Sequence, residues 1–379
     1  MRHCFRTVGY TSSFAAHCVR QTLEGHSTHL VHLDVSTSIE VLTPIWQRVL
    51  QRPAIRVDEN FFDLGGDSSL ALKLFTEISE VFGRKLAPVM IYQAPTIAAL
   101  AAALEQPEAV RFPPLMQLKA GTKEPPIFIA HGMGGNVMDF FQVVKHIRTQ
   151  HPIYGMQAKG IEGVDDPLER IEDMAQFFLD PIRGLQSHGP YLLIGYSLGG
   201  LVALEIAQRL LDAGEKAGLL VMLESYPHKR YLSAGQRLRL IARRAKRHAA
   251  ILIRLPWRDT LSYIAHPAER LVYIPREHDG ARGQQPNGIW FTPAVLRMRD
   301  RAYLALRRYR PRYYPGKIKF VKAETISEFP DDPAAVWTNL AKELEIETVP
   351  GDHLGIVNTH YERLAAVLSR YLQEAIDGK

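Results

Sequence analysis

Tyr191-Leu192-Leu193-Ile194-Gly195-Tyr196-Ser197-Leu198-Gly199-Gly200 is the stretch on which the fold turns. Its first four, mostly apolar residues suit a buried strand, and a helical pattern follows in Leu201, Leu204, Ile206, Ala207 and Leu210. Between them lies Gly-x-Ser-x-Gly. Small neighbours allow strand and helix to approach closely, so a serine in a strained turn can aim its hydroxyl out of the sheet. The spacing therefore predicts a nucleophile elbow at Ser197. Leu198, the next residue, offers its backbone N–H at the start of the helix, where a developing oxyanion is best stabilised.

Working outward, strand-like and helix-like stretches alternate from Pro126 onward. Ile127–Ala130, Ile153–Met156, Leu192–Ile194, Leu219–Leu223, Ile318–Val321 and Ile346–Val349 read as strands, with amphipathic stretches such as Asp139–Ile147 and Met174–Leu185 between. That alternation calls for a mainly parallel sheet with helices on both faces, and together with the elbow it resembles an α/β-hydrolase. Between the fourth and fifth strands sits a long helical insertion, about 227–314. From Lys229 to Arg258 it carries ten Lys/Arg and no acid. Three readings of this basic helix, with Leu238, Ile241 and Ala245 on one side, stay open. It is a solvated face over an apolar underside, a dock for an acidic carrier domain or a phosphate, or a membrane or nucleic-acid surface. No aromatic interleaving supports the nucleic-acid platform.

An activated serine needs a base, an acid behind it and oxyanion donors, in the chain order Ser, Asp/Glu, His for this fold. His353, in Val349-Pro350-Gly351-Asp352-His353-Leu354, leaves the last strand where the base belongs. His131 is its rival but opens a different feature, His131-Gly132-Met133-Gly134-Gly135, whose Met133 N–H is the candidate second oxyanion donor beside Leu198. Glu224 emerges at the carboxyl end of the Leu219–Leu223 strand. Glu324 and Asp331, beyond the next strand, are the alternative acids.

Upstream, residues 38–105 show four short helices, one with Val41, Leu42, Ile45, Trp46 and Val49 on a single face. Thr37 or Ser38 is placed to cap the first helix, Pro53 to end it, and Thr96 to cap the last. Before the second helix stands Phe61-Phe62-Asp63-Leu64-Gly65-Gly66-Asp67-Ser68. A serine opening a helix after two glycines is exposed, and the helix dipole favours a phosphodiester there. Residues 106–125, rich in proline, read as an interdomain linker, and residues 1–37 as a disordered extension. His26, His29 and His32 recur every third residue, but no Cys or acid is spaced to complete a metal site.

Residues 38–105 resemble a thiolation (carrier) domain of the nonribosomal peptide and polyketide synthase type. The resemblance implies that Ser68, not Ser69, takes a covalent 4'-phosphopantetheine arm. From about residue 112 onward the chain resembles the type I thioesterase domain of such synthases. Ile129–Gly135, Tyr154-Gly155-Met156-Gln157-Ala158, Gly195–Gly200 and Pro350–His353 carry this second likeness. It implies Ser197, His353 and Glu224 as the triad and the insertion as a lid over an acyl channel. The usual acid in that family is Asp, so Glu224 departs from the pattern by one methylene.

The expected fold is thus a small four-helix carrier domain followed by an α/β-hydrolase with a helical lid. The expected activity is release of an acyl or peptidyl chain from a phosphopantetheine thioester, by hydrolysis or cyclisation, in secondary metabolite biosynthesis. The alternatives are a carrier and interaction module with an editing or vestigial hydrolase half, or an esterase beside an unrelated helical domain. Expected partners are a phosphopantetheinyl transferase and upstream synthase subunits. A net charge of +6 over 379 residues does not by itself imply nucleic acid. No apolar run approaches the roughly 20 residues of a membrane span. Two cysteines, Cys4 and Cys18, give no disulfide framework, which fits a cytoplasmic protein.

Overall fold

A computed structural model describes residues 34–66, 68–83, 86, 88–105, 112–162, 165–254, 293–325 and 332–378. The chain divides between residues 110 and 111 into two compact units. The expected N-terminal extension up to residue 33, its three histidines, and Asp331 lie outside the described residues.

In the first unit, helix α1 (Val35–Leu50), α2 (Ser68–Phe82), a 3-10 turn (Pro88–Tyr92) and α3 (Ile97–Glu105) enclose an apolar core. Leu42, Trp46, Phe61, Phe75, Ile78 and Leu100 are its centre, with the Trp46 ring edge-on to Phe61 at 5.4 Å. Helix α1 starts earlier than expected, because Asp34, not Thr37 or Ser38, is the cap: its carboxylate accepts from the Thr37 N–H at 2.8 Å. It also stops before Pro53, at Leu50, where Gln51 adopts the left-handed conformation. Thr96 caps α3 as expected, its hydroxyl accepting from the Ala99 N–H at 3.1 Å.

The second unit is built on a seven-stranded sheet. Its strands are β1 (Leu115–Lys119), β2 (Ile127–Ala130), β3 (Ile153–Met156), β4 (Tyr191–Tyr196), β5 (Ala217–Leu223), β6 (Tyr314–Ala323) and β7 (Ala341–Val349). The order across the sheet is β1-β3-β2-β4-β5-β6-β7, with β1 antiparallel to β3 and every other pair parallel. The stretch expected to be linker thus supplies an edge strand. Five residues flanked by prolines, with only Met116 fully buried, carry too little alternation to announce it. β6 and β7 likewise begin earlier than their apolar cores suggested, in lysine- and glutamate-rich segments.

Along β4, Tyr191 and Leu193 enter one core, Leu192, Ile194 and Tyr196 the other. This period of two is what a strand buried on both faces requires. On the first face lie α5 (Ile171–Leu185) and α6 (Leu198–Asp212); on the second, α4 (Phe141–His146) and, near the C-terminus, a helix over Tyr361–Ile376. The apolar positions of α5, Ile171, Met174, Ala175, Phe178 and Ile182, recur at helical spacing. Burying each of the larger ones contributes about 1.5–3 kcal/mol.

Two helices of the insertion are described, α7 (Ala234–Arg254) and α8 (Pro293–Arg308). The apolar underside expected for α7 is not where the sequence suggested: Leu238 and Ile241 are 68% and 63% exposed, while Gln236 and Leu240 are buried. Gln236 is drawn inward by its amide bond to the Asp332 carbonyl and by capping contacts with Ser233. Helix α8 rests on the core through Met298, Ala302 and Ala305. Arg301 and Arg308 both pair with Glu169, the latter at 2.7 Å, and the Tyr309 hydroxyl donates to buried Glu205 at 3.1 Å. The remaining helices are α9 (Ala334–Trp337), α10 (Gly355–Asn358) and α11 (Tyr361–Ile376).

The close crossing of β4 and α6 dictates a contrast between two glycines. A Cβ on Gly199 would overlap the carbonyl oxygens of His131 and Ala130, which are backbone and cannot swing away. Gly184, inside α5, has open space around it. Gly199→Ala should therefore destabilise the protein by about 2 kcal/mol or more, whereas Gly184→Ala should stabilise it by about 0.5–1 kcal/mol. Urea unfolding of both variants checks the pair, and equal midpoints would contradict it.

Candidate active site

The carboxyl ends of β2 and β4 flank the point where the sheet's strand order reverses, a position at which α/β sheets collect their ligands. Both ends carry site residues expected from the sequence. After β4, Ser197 holds φ 54° and ψ −118°, a conformation that costs about 1–3 kcal/mol for a residue with a side chain. Its N–H donates to the Leu223 carbonyl at 2.8 Å, tying the turn to β5. Ser197 precedes α6 as its cap residue, yet its hydroxyl makes no capping bond. The hydroxyl is thus left available for chemistry. Leu198 opens α6, so its N–H belongs to the unpaired first turn.

After β2, His131-Gly132-Met133-Gly134-Gly135 forms a tight turn closed by Gly135 N–H to the Gly132 carbonyl at 3.1 Å, with Gly135 at φ 76°. A Cβ built on Gly132 would lie 3.8 Å from the Ser197 Cβ, so this turn borders the elbow. His131 does not compete for the role of base. It is buried, its Nδ1 donates to the Gly132 carbonyl at 2.7 Å, and burial pushes its imidazole down to about 4.

Glu224 and His353 come together across the sheet edge. Glu224, at the end of β5, is only 3% exposed and, like Ser197, has a positive φ, 46°. Its backbone N–H donates to Val321 at 2.9 Å, and its Oε1 accepts from the Ala323 N–H at 2.8 Å. Both anchors come from β6. The second carboxylate oxygen, Oε2, is then 3.6 Å from His353 Nδ1. Glu324, the alternative acid, is exposed.

Two contributors went unread in the sequence. Tyr196, the variable residue of Gly-x-Ser, stacks its ring on the His353 imidazole at 4.9 Å and 24°, while its hydroxyl donates to the His353 carbonyl at 2.7 Å. His353 is thereby tethered, through both ring and backbone, to the residue that precedes Ser197. Only the spatial return of the C-terminal loop to β4 reveals this. Asp139, in the 3-10 turn Val137–Phe140, is the other: burial raises its carboxyl to about 6, and its charge acts on Tyr196. Tyr196 itself is held well above the usual phenol range by burial, then by Asp139, Glu224 and Asp352.

In the first unit, Ser68 opens α2 directly after a loop with Gly65 at φ 94°. Phe61, fully buried, pins that loop: its N–H donates to Pro95 at 2.7 Å and its carbonyl accepts from the Gly66 N–H at 2.8 Å. The start of a fifteen-residue helix suits a phosphodiester, so the residues present fit phosphopantetheine attachment. Among the described residues no cluster of His, Cys, Asp or Glu is arranged to hold a metal ion, and no helix is long and apolar enough to cross a membrane.

Asp139 yields a pH test. An acid whose carboxyl is raised on folding binds its proton more tightly in the folded state, so its contribution to stability falls as pH climbs from about 4 through about 6. Asp139→Asn should therefore match the parent near pH 4 and exceed its stability by roughly 1–2 kcal/mol at pH 7.5. Urea unfolding at the two pH values measures this; an Asn variant weaker at pH 7.5 would refute it.

Comparison with known proteins assigns families to both units. Residues 40–104 match the family described as "Phosphopantetheine attachment site", and residues 125–255 that described as "Thioesterase domain". The second match includes Ser197 and Glu224 but ends before His353. The chain is 38% identical over 190 residues to a dimodular nonribosomal peptide synthase of Bacillus subtilis (strain 168), covering 50% of this chain and 8% of that one. It is 37% identical over 179 residues to indigoidine synthase of Dickeya dadantii (strain 3937), covering 47% of this chain and 12% of that one. The chain therefore spans only a small part of the length of these relatives. Among solved structures, a four-domain nonribosomal peptide synthetase bound to AMP and glycine shares the fold at a TM-score of 0.53 and 21% identity, over 97% of this chain and 27% of that one. The chain carries a phosphopantetheine-attachment domain followed by a thioesterase domain of the α/β-hydrolase fold.

Proposed function

We propose that the protein releases an acyl or peptidyl chain from a carrier-bound thioester in nonribosomal-peptide-type biosynthesis, with Ser197 as nucleophile, His353 as base and Glu224 as the supporting acid. The observation that carries the reading is the convergence of three strand ends: a strained serine, an imidazole stacked on its neighbour, and a buried carboxylate 3.6 Å from His353 Nδ1. Ser68 is the attachment point for 4'-phosphopantetheine, which when bound supplies the thiol that holds the chain as a thioester. A phosphopantetheinyl transferase and chain-supplying synthase subunits are the implied partners, in the cytoplasm. The proposed domain limits are carrier 38–105, linker 106–125 with the edge strand β1 inside it, and thioesterase 126–379, with the lid at about 227–314.

In acylation, Ser197 Oγ gives its proton to His353 Nε2 and adds to the thioester carbonyl. The N–H groups of Leu198 and Met133 receive the negative charge on the carbonyl oxygen. The carbon–sulfur bond then breaks, and the thiolate recovers a proton from His353. Water, or a hydroxyl or amine of the chain itself, is activated by His353 in the second half and releases the product. Glu224 keeps the imidazole Nδ1–H pointing away from Ser197 and stabilises the imidazolium. A glutamate suits this site because its backbone is tied to β6, so the extra methylene spans the distance an aspartate would leave.

Two outcomes test the proposal. After incubation with coenzyme A and a phosphopantetheinyl transferase, intact mass should rise by one arm, and Ser68→Ala should abolish the gain. Ser197→Ala should still accept the arm but lose release from a panel of acyl N-acetylcysteamine thioesters by about 10³-fold or more. Full release by Ser197→Ala would end the mechanism.

Tyr196→Phe keeps the ring stack and removes only the hydrogen bond to the His353 loop. Its kcat should fall about 3–10-fold, the worth of one such bond. An unchanged kcat would show that the tether does not matter.

A further inference from the structure

The turn that carries Met133 has to be held at a fixed distance from Ser197, and three of its five residues are glycines with no side chain to pack, although His131 is buried against Phe178 and Met133 packs on the core. Part of its support comes from one buried amide. Gln157, directly after β3, is 1% exposed. Its Nε2 donates to the Gly135 carbonyl at 3.0 Å, and its Oε1 accepts from the Val137 N–H at 3.2 Å. The backbone adds two ties: Ala158 N–H also donates to Gly135 at 3.1 Å, and Gln157 N–H donates to Pro114 at 2.8 Å. Both side-chain bonds thus land on the downstream end of the turn. Its upstream end is held by the His131 Nδ1 bond and by Gly135 N–H, both to the Gly132 carbonyl. Between these clamps, the Met133 N–H makes no hydrogen bond among the described residues.

A single planar head must here offer one donor and one acceptor to two backbone groups two residues apart. Gln does so without charge; Glu lacks the donor and Leu lacks both. Losing the head would leave the Val137 N–H without this partner and the Gly135 carbonyl with the Ala158 N–H alone, which would loosen the turn.

We infer that Gln157 is the positioning residue of the oxyanion site, fixing the Met133 N–H beside Ser197 without touching substrate. The inference rests on the proposed role of Met133, so its test has one readout that needs no catalysis. Gln157→Leu removes both bonds at nearly constant volume, and Gln157→Glu, the same size, serves should the first variant fold poorly. Amide hydrogen exchange over residues 132–137 should quicken at least about tenfold in either variant, while the 192–196 strand keeps its protection.

On the best substrate from the thioester panel, kcat should fall about 10–100-fold with KM within about threefold. The midpoint of the rising limb of the pH profile should not move, because His353 and Glu224 are untouched. Affinity for phenylboronic acid, whose adduct places an anionic oxygen in the same site, should fall in parallel with kcat. Unchanged exchange in the turn, a kcat within twofold of the parent, or a displaced pH midpoint would each overturn the inference. Failure of the underlying reading shows itself separately, as full release by Ser197→Ala.

Discussion

Backbone against backbone contact at the elbow constrains everything around it. Gly195 faces the Gly199 carbonyl, Gly199 faces the carbonyls of Ala130 and His131, and Gly200 faces the Ser225 hydroxyl, each so closely that a Cβ would overlap its neighbour. Because α6 can press this tightly onto the ends of β2, β4 and β5, three loops are brought to one spot. They are the elbow itself, the glycine turn after β2 and the Glu224 segment after β5. Larger residues at these positions would separate the parts, and the chemistry depends on their separation being small.

Strain is concentrated where the function needs it. Within the hydrolase unit, the described non-glycine residues with positive φ are Ser197 and Glu224. Each sits at the carboxyl end of a strand and each is over-determined by a bond to the next strand, Ser197 to Leu223 and Glu224 to Val321. A residue held in a costly conformation by its surroundings is already oriented before substrate arrives. The same logic governs His353, whose carbonyl and ring are both engaged by Tyr196. Orientation here is delivered by neighbours that do not react.

The sheet, its mainly parallel sense and the strand-turn-helix at Ser197 were legible in the sequence, since each rests on local signals. These are apolar runs of strand length, glycines at fixed offsets, and polar residues at strand ends. What escaped was whatever depends on distant chain. β1 was read as linker because prolines flank a five-residue segment that pairs with β3, about forty residues on. The face of α7 was misjudged because a polar residue, Gln236, is pulled inward by Asp332. The sequence left Glu224, Glu324 and Asp331 open as acids, and of these Asp331 lies outside the described residues. Geometry favours Glu224 through its burial and its approach to His353.

Tyr196 and Gln157 share a further property that explains their invisibility. Neither has a reactive group suited to acyl transfer, so a search for nucleophiles, bases and acids passes over them. Yet one engages the His353 imidazole and the other the glycine turn proposed to hold the oxyanion. Transition-state stabilisation depends steeply on donor placement, and about 1 Å of displacement can cost a hundredfold in rate. A hydrolase whose oxyanion donor sits on glycines therefore needs a rigid partner elsewhere, and the end of a buried strand is a rigid place to put one. Gln157 leaves β3 at such a point, two strands away from β4 in the sheet order but next to β2, whose end carries the turn it supports.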